Sequence, residues 1–150
     1  MPNRLHDVTE RLRSHGLRVT APRIAVLDVL AQMPGHPGAE SIHAAVVGRL
    51  GSVSVQAVYN TLHTLTGAGL LRCIEPAGHP ARYETRVDDN HHHLICRTCG
   101  ETRDVDCVTG HAPCLDPSER GGFVIDEAEV VFWGTCPRCS RHETPEQRTI

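Results

Sequence analysis

The chain has 150 residues, enough for one domain or for two small ones with a modest shared core, and only 3% are aromatic, which argues against a large ring-lined ligand pocket. The N-terminal stretch "MPNRLHDVTERLRSHGLRVT" lacks an uninterrupted apolar segment, and no run is long enough to span a bilayer, so a cytoplasmic location is expected. The net charge of −3 hides a division: residues 1–86 carry nine arginines against six carboxylates, a balance of +3, and residues 87–150 carry six against twelve, a balance of −6. Such a division suits a phosphate-facing first half and a cation-attracting second half.

Apolar positions at Leu5, Val8 and Leu12 predict a first helix that stops at Gly16. In "VTAPRIAVLDVLAQ", Thr20 is placed to cap a second helix and Pro22 falls in its first turn, where a missing N–H costs little. "PGHPG" ends that helix, "AESIHAAVVGRL" predicts a third, and Gly51 closes it. A fourth helix follows from Ser54 as N-cap, with Val58, Leu62 and Leu65 as its inward stripe and Gly67 and Gly69 at its exit. Its other face presents Gln56, Tyr59, Asn60 and His63. "LLRCIE" and "ARYET" flank the turn "PAGHP" as a β-hairpin. Helices followed by a hairpin describe a winged helix-turn-helix over residues 1–86. "VDDN", residues 87–90, is the hinge. Residues 91–150 form a smaller α/β domain, with strands in "HHHLIC", "ETRDVD" and "FVIDEAEVVFWGTC", a short helix or loop around "CVTGHAPCLDPSER", and a polar tail. The fold class is therefore α+β.

The cysteines, at 73, 96, 99, 107, 114, 136 and 139, are expected to be reduced, which favours metal ligation over a disulfide framework. Cys96 and Cys99 form one C-x2-C turn and Cys136 and Cys139 another; together they complete a four-sulfur tetrahedron suited to a structural Zn²⁺. The alternatives are a redox pair or unrelated thiols. Within "HHHLIC", strand alternation sends His91 and His93 to one face and His92 and Cys96 to the other. The stretch should thus serve two sites. His36, Glu84 and Asp104 are candidate partners for His91 and His93, an N/O donor set open to Fe²⁺, Mn²⁺, Zn²⁺ or Ni²⁺.

The combination of "LRVTAPR", "VSVQAVYNTLHTLTGAGLL", "ARYE", "HHHLICRTCG" and "CPRC", in this order, resembles the ferric uptake regulator (Fur) family across residues 5–140. "DVDCVTGHAPCL" and "DEAEVVFWGTCPRC" look most like its actinobacterial branch that controls catalase-peroxidase genes. The resemblance implies a homodimer with an N-terminal winged-helix DNA-binding domain and a C-terminal dimerisation domain. It also implies structural zinc on Cys96, Cys99, Cys136 and Cys139, and a regulatory Fe²⁺ or Mn²⁺ on His36, Glu84, His91, His93 and Asp104. Metal would close the dimer onto an inverted-repeat operator. In some members a third site involves the positions of His92 and His111, but Ala128 stands where those members place histidine. Cys107 and Cys114 match the branch as spare thiols or a redox pair.

For contact with double-stranded DNA, the helix starting at Ser54 supplies Tyr59 for thymine methyls and Gln56 and Asn60 for polar groove contacts, with Arg18 and Arg23 on the phosphates. Peroxide would act either through Fe²⁺-driven oxidation of a ligand histidine or through cysteines. Two other functions are weighed: a plain iron, zinc or nickel uptake regulator, and a metal-dependent hydrolase on His36, His91, His93 and Glu84. Five ligands leave little room for the open position a hydrolase needs.

Overall fold

A computed structural model describes residues 4–89, 91–106, 118–125 and 129–142. The chain divides into two compact units, Met1–Asp89 and Asn90–Ile150. No helix among the described residues is long and apolar enough to cross a membrane.

The first unit carries α1 (Arg4–Ser14), α2 (Ala21–Leu30), α3 (Ala39–Leu50), α4 (Val55–Gly67) and an antiparallel hairpin of β1 (Arg72–Ile74) and β2 (Arg82–Glu84). Its core is built from the stripes that the sequence displays: Leu12, Val26, Ile42, Val46, Val58, Leu62 and Leu65 are fully buried and pack as one cluster. Each such side chain contributes about 1.5–3 kcal/mol by leaving water. Gly51, with φ at +79°, terminates α3 in a conformation that only glycine adopts cheaply. The Ser54 hydroxyl accepts a hydrogen bond from the Ala57 N–H at 3.0 Å and so caps α4. Thr20 holds the N-cap position of α2 with extended dihedrals, but its side chain makes no capping bond. Pro22 in the first turn already removes one of the donors a cap would serve.

One connection in this unit was not legible from local pattern. Pro37 accepts a hydrogen bond from the Tyr83 N–H at 3.0 Å, and Gly38 bridges to Arg82 in antiparallel fashion. The α2–α3 loop is thereby stitched alongside β2, which places His36 beside Glu84.

The second unit is a three-stranded sheet in the order β4-β3-β5, with β3 at His91–Cys96, β4 at Thr102–Asp106 and β5 at Val131–Gly134. β3 pairs antiparallel with β4 and parallel with β5. A one-turn helix, α5 (Pro137–Ser140), follows directly from the second cysteine turn. The strand expected over 123–136 is confined to Val131–Gly134 among the described residues. Phe123 and Val124 are 78% and 96% exposed and lie in no strand among the described residues. The helix or loop expected around 107–120 lies, apart from 118–120, outside the described residues, as does most of the C-terminal tail. Among the described residues of this unit only Ile95 and Cys96 are buried apolar side chains. A unit with so thin a core needs a clamp of another kind.

Candidate metal centres and DNA face

The clamp is formed by the two cysteine turns. β3 ends at Cys96, and the turn Arg97-Thr98-Cys99 closes through a Gly100 N–H to Cys96 carbonyl bond of 2.9 Å, with Gly100 at φ +73°. The end of β5 runs beside it, because the Arg97 N–H donates to the Gly134 carbonyl at 2.8 Å and delivers Cys136 two residues later. The four sulfurs of Cys96, Cys99, Cys136 and Cys139 lie within 4.8 Å of one another, and Cys99 Sγ is 3.7 Å from Cys136 Sγ. Zinc–sulfur bonds of about 2.3 Å in a tetrahedron put sulfurs about 3.8 Å apart, so the set fits Zn²⁺.

Electrostatics agree with a cation there. Burial opposes ionisation of Cys96, but backbone N–H groups of Cys136, Cys99 and Thr98 outweigh it and bring the thiol down to about 6. Cys139 moves the other way, up to about 12, because its hydrogen bond to Cys136, followed by burial, favours the neutral form. Four thiols this close cannot all become thiolates without a positive ion among them.

The alternation along β3 separates the histidines as expected. His91 and His93 lie on one face with their rings 4.8 Å apart and edge-on. Asp104 sits opposite His93 in the β3–β4 register, and its Oδ1 is 3.5 Å from Nε2 of both His91 and His93. Donors bound at about 2.0–2.1 Å to one ion stand roughly 3.0–3.4 Å apart, so each imidazole needs only a small contraction to share a cation with Asp104. Both imidazoles are buried and the aspartate is not. His92 points to the opposite face and is also buried.

In the first unit, His36 Nε2 lies 2.7 Å from Glu84 Oε2, both side chains being buried, and Arg72 Nε approaches the other Glu84 oxygen at 3.7 Å. Of the five N/O donors named from the sequence, His36 and Glu84 belong to the first unit and His91, His93 and Asp104 to the second. His111, Cys107, Cys114 and Ala128 lie outside the described residues. Sequence reasoning missed Glu129, whose Oε1 is 3.8 Å from His93 Nδ1. Only the parallel pairing of β5 with β3 reveals it, and a register between strands 38 residues apart is not a local signal.

The outward face of α4 carries Gln56, Tyr59, Asn60 and His63, all exposed. Gln56 Nε2 donates to Asn60 Oδ1 at 2.9 Å, which presents the two amides as one flat polar patch. Tyr59 is 45% exposed, so packing does not account for the ring. Val55, 53% exposed beside the Ser54 cap, is a further apolar contact that the sequence did not single out. Arg18 is exposed, while the half-buried Arg23 donates to the Arg18 carbonyl at 2.7 Å and so braces the loop before α2.

Comparison with known proteins gives a consistent result. A model described as the ferric uptake regulator family matches residues 14–130. The chain is 55% identical over 138 residues to the transcriptional regulator FurA of Mycobacterium tuberculosis, covering 92% of this chain and 93% of that one. It is 31% identical over 144 residues to the peroxide operon regulator of Bacillus subtilis, covering 93% and 95%. Among solved structures, the ferric uptake regulator of Helicobacter pylori shares the fold, with a TM-score of 0.70 at 21% identity over 94% of this chain and 95% of that one. With that match across most of its length, the chain belongs to the ferric uptake regulator family and is a metal-responsive transcriptional regulator, not an enzyme.

Proposed function

We propose that the chain is a metal-dependent, peroxide-responsive repressor that binds an inverted-repeat operator as a homodimer and controls catalase or other oxidative-stress genes together with its own. The observation that carries this is the pair of N/O donor groups: His36 with Glu84, and His91 with His93 and Asp104. We infer that all five serve one Fe²⁺ or Mn²⁺, while Cys96, Cys99, Cys136 and Cys139 hold structural zinc. The regulatory ion would supply a cross-link between the winged-helix domain, 1–86, and the dimerisation domain, 91–150, across the hinge 87–90, and as Fe²⁺ it would also supply a centre that activates peroxide.

The chain's own residues do the rest. His36 and Glu84 would tie the DNA-binding half to the ion, and the buried imidazoles of His91 and His93 would shield it from water. An ion bound about 3 kcal/mol more tightly in the DNA-competent form shifts that equilibrium roughly a hundredfold. Operator contact falls to Tyr59, Gln56 and Asn60 on α4, with the Arg18 and Arg23 side chains on phosphate. Peroxide would oxidise the ring of His36 or His91, a ring C–H becoming C–OH as the O–O bond breaks, with the ring supplying both electrons and the other oxygen leaving as water; this would spoil a ligand and release DNA. The likeness to a relative named for its peroxide operon supports this branch of the reading.

The test is a gel shift on the chain's own promoter with Fe²⁺, Mn²⁺, Zn²⁺ and Ni²⁺ in turn, before and after H2O2, followed by mass spectrometry. The expectation is metal-dependent binding that peroxide abolishes for the Fe²⁺ form only, with one added oxygen on a histidine peptide. Binding without any divalent metal defeats the metal-dependent part. An Fe²⁺ form indifferent to peroxide leaves a plain metal uptake regulator, and a disulfide at Cys107 and Cys114 moves the chemistry to the cysteines.

A further inference from the structure

We propose that Glu129 is a positioning residue for the sensing ion: it accepts a hydrogen bond from Nδ1–H of His93 and so keeps the Nε2 lone pair of that ring aimed at the metal. The inference deepens the function proposed above and rests on His93 being a metal ligand. Three observations place Glu129 there. The His93 N–H donates to the Val130 carbonyl at 3.4 Å, and His93 is in register with Val131, so the chain just before β5 runs against the middle of β3. Glu129 precedes Val131 by two residues and therefore lies on the His91/His93 face by strand alternation. Its Oε1 is 3.8 Å from His93 Nδ1, and the side chain is 51% exposed, free to swing the roughly 0.6–1.1 Å that a hydrogen bond of about 2.7–3.2 Å requires.

The two nitrogens of His93 face different acids. Nε2 faces Asp104 at 3.5 Å, in the same space as Nε2 of His91, and Nδ1 faces Glu129. A neutral imidazole carries its proton on one nitrogen only, and a lone pair binds metal only on the other. A carboxylate at Nδ1 selects the tautomer with the lone pair on Nε2, turns the ring, and makes it a stronger donor.

The experiment uses the full chain with its structural zinc retained and Mn²⁺ as probe. Glu129→Ala should weaken Mn²⁺ binding about ten- to hundredfold in calorimetric titration. Glu129→Gln, whose side-chain carbonyl still accepts from Nδ1–H, should recover most of that loss. Nitrogen-15 spectra recorded before Mn²⁺ is added should show His93 as the Nδ1–H tautomer in the parent and in Glu129→Gln, and a shift toward Nε2–H in Glu129→Ala. A purely structural role would not move the tautomer. Zinc content and Trp133 emission report that the variants fold. Glu129→Ala that binds Mn²⁺ like the parent, or an unchanged His93 tautomer, overturns the proposal. Glu129→Gln as weak as Glu129→Ala also overturns it, in favour of a direct charged ligand. His93→Ala is the separate control: if it keeps parental Mn²⁺ affinity, the ligand assignment beneath the proposal is what fails.

Discussion

Removing zinc should unfold the second unit and leave the first intact. Structural zinc binding at four thiolates is worth on the order of 10–16 kcal/mol, as much as the whole stability of a typical domain. The second unit has little to set against that loss, since Ile95 and Cys96 are its buried apolar side chains among the described residues. The first unit has its own cluster, from Val8 to Tyr83. Two optical signals separate them. α1 to α4 contain 11, 10, 12 and 13 residues against 4 in α5, so about nine-tenths of the described helix belongs to the first unit. The single tryptophan, Trp133, lies on β5 in the second, with the Arg97 guanidinium 5.1 Å over its ring. A strong chelator with a thiol-blocking reagent should therefore shift Trp133 emission to the red while circular dichroism at the helix minimum falls by about a tenth. Cooperative loss of most of the helical signal, or unchanged emission after full zinc extraction, would refute the reasoning that zinc is the second unit's core.

Other outcomes follow from the same contacts. Tyr59→Ala should lower operator affinity by about 1–3 kcal/mol, roughly ten- to a hundredfold, in a metal-loaded gel shift with its Mn²⁺ isotherm unchanged; unchanged DNA binding would remove α4 from the groove. His91→Ala should abolish metal-dependent DNA binding while zinc content stays at the parental value, and normal repression by this variant defeats the regulatory assignment. Leu62→Ala should cost about 2–5 kcal/mol of stability by denaturant titration, because Leu62 is completely buried in α4. Burial, aided by the neighbouring Cys73, pushes the Tyr83 phenol up to about 12. A group with its pKa raised in the folded state stabilises fully below its unfolded value and loses that contribution on rising pH, so stability should fall between pH about 10 and 12. A tyrosine absorbance titration showing Tyr83 ionised at pH 10 in the folded protein would contradict this.

The first unit was largely readable because its signals are local. Ser54 caps within three residues, Gly51 takes a left-handed turn on the spot, and the α4 stripe repeats at helical spacing. Alternation along "HHHLIC" likewise separated His91 and His93 from His92 and Cys96 with no knowledge of their partners. Where the sequence fell short, the cause was pairing at a distance. The bridge of Gly38 to Arg82 and the parallel register of His93 with Val131 join segments that carry no mark of each other. Glu129 was hidden for that reason. Phe123, Val124 and Ile125 show the opposite error: an apolar run reads as strand, but among the described residues it lies in none, and the Phe123 N–H turns back to the Arg120 carbonyl at 2.8 Å.

The parallel pairing of β3 with β5 also sets an order of events as the protein is made. β3 and β4 are joined by a five-residue turn and can zip together soon after they leave the ribosome. β5 must wait for 34 more residues of intervening chain after β3, and the ends of that loop pay closure entropy before any contact repays it. In that interval the helices of the first unit have already been synthesised, while Cys96 and Cys99 offer half of a metal site. The nascent chain thus passes through a stage in which a two-thiol ligand is exposed to whatever thiophilic ion or oxidant the cell offers. The site is complete only once β5 has brought Cys136 and Cys139 to that first pair.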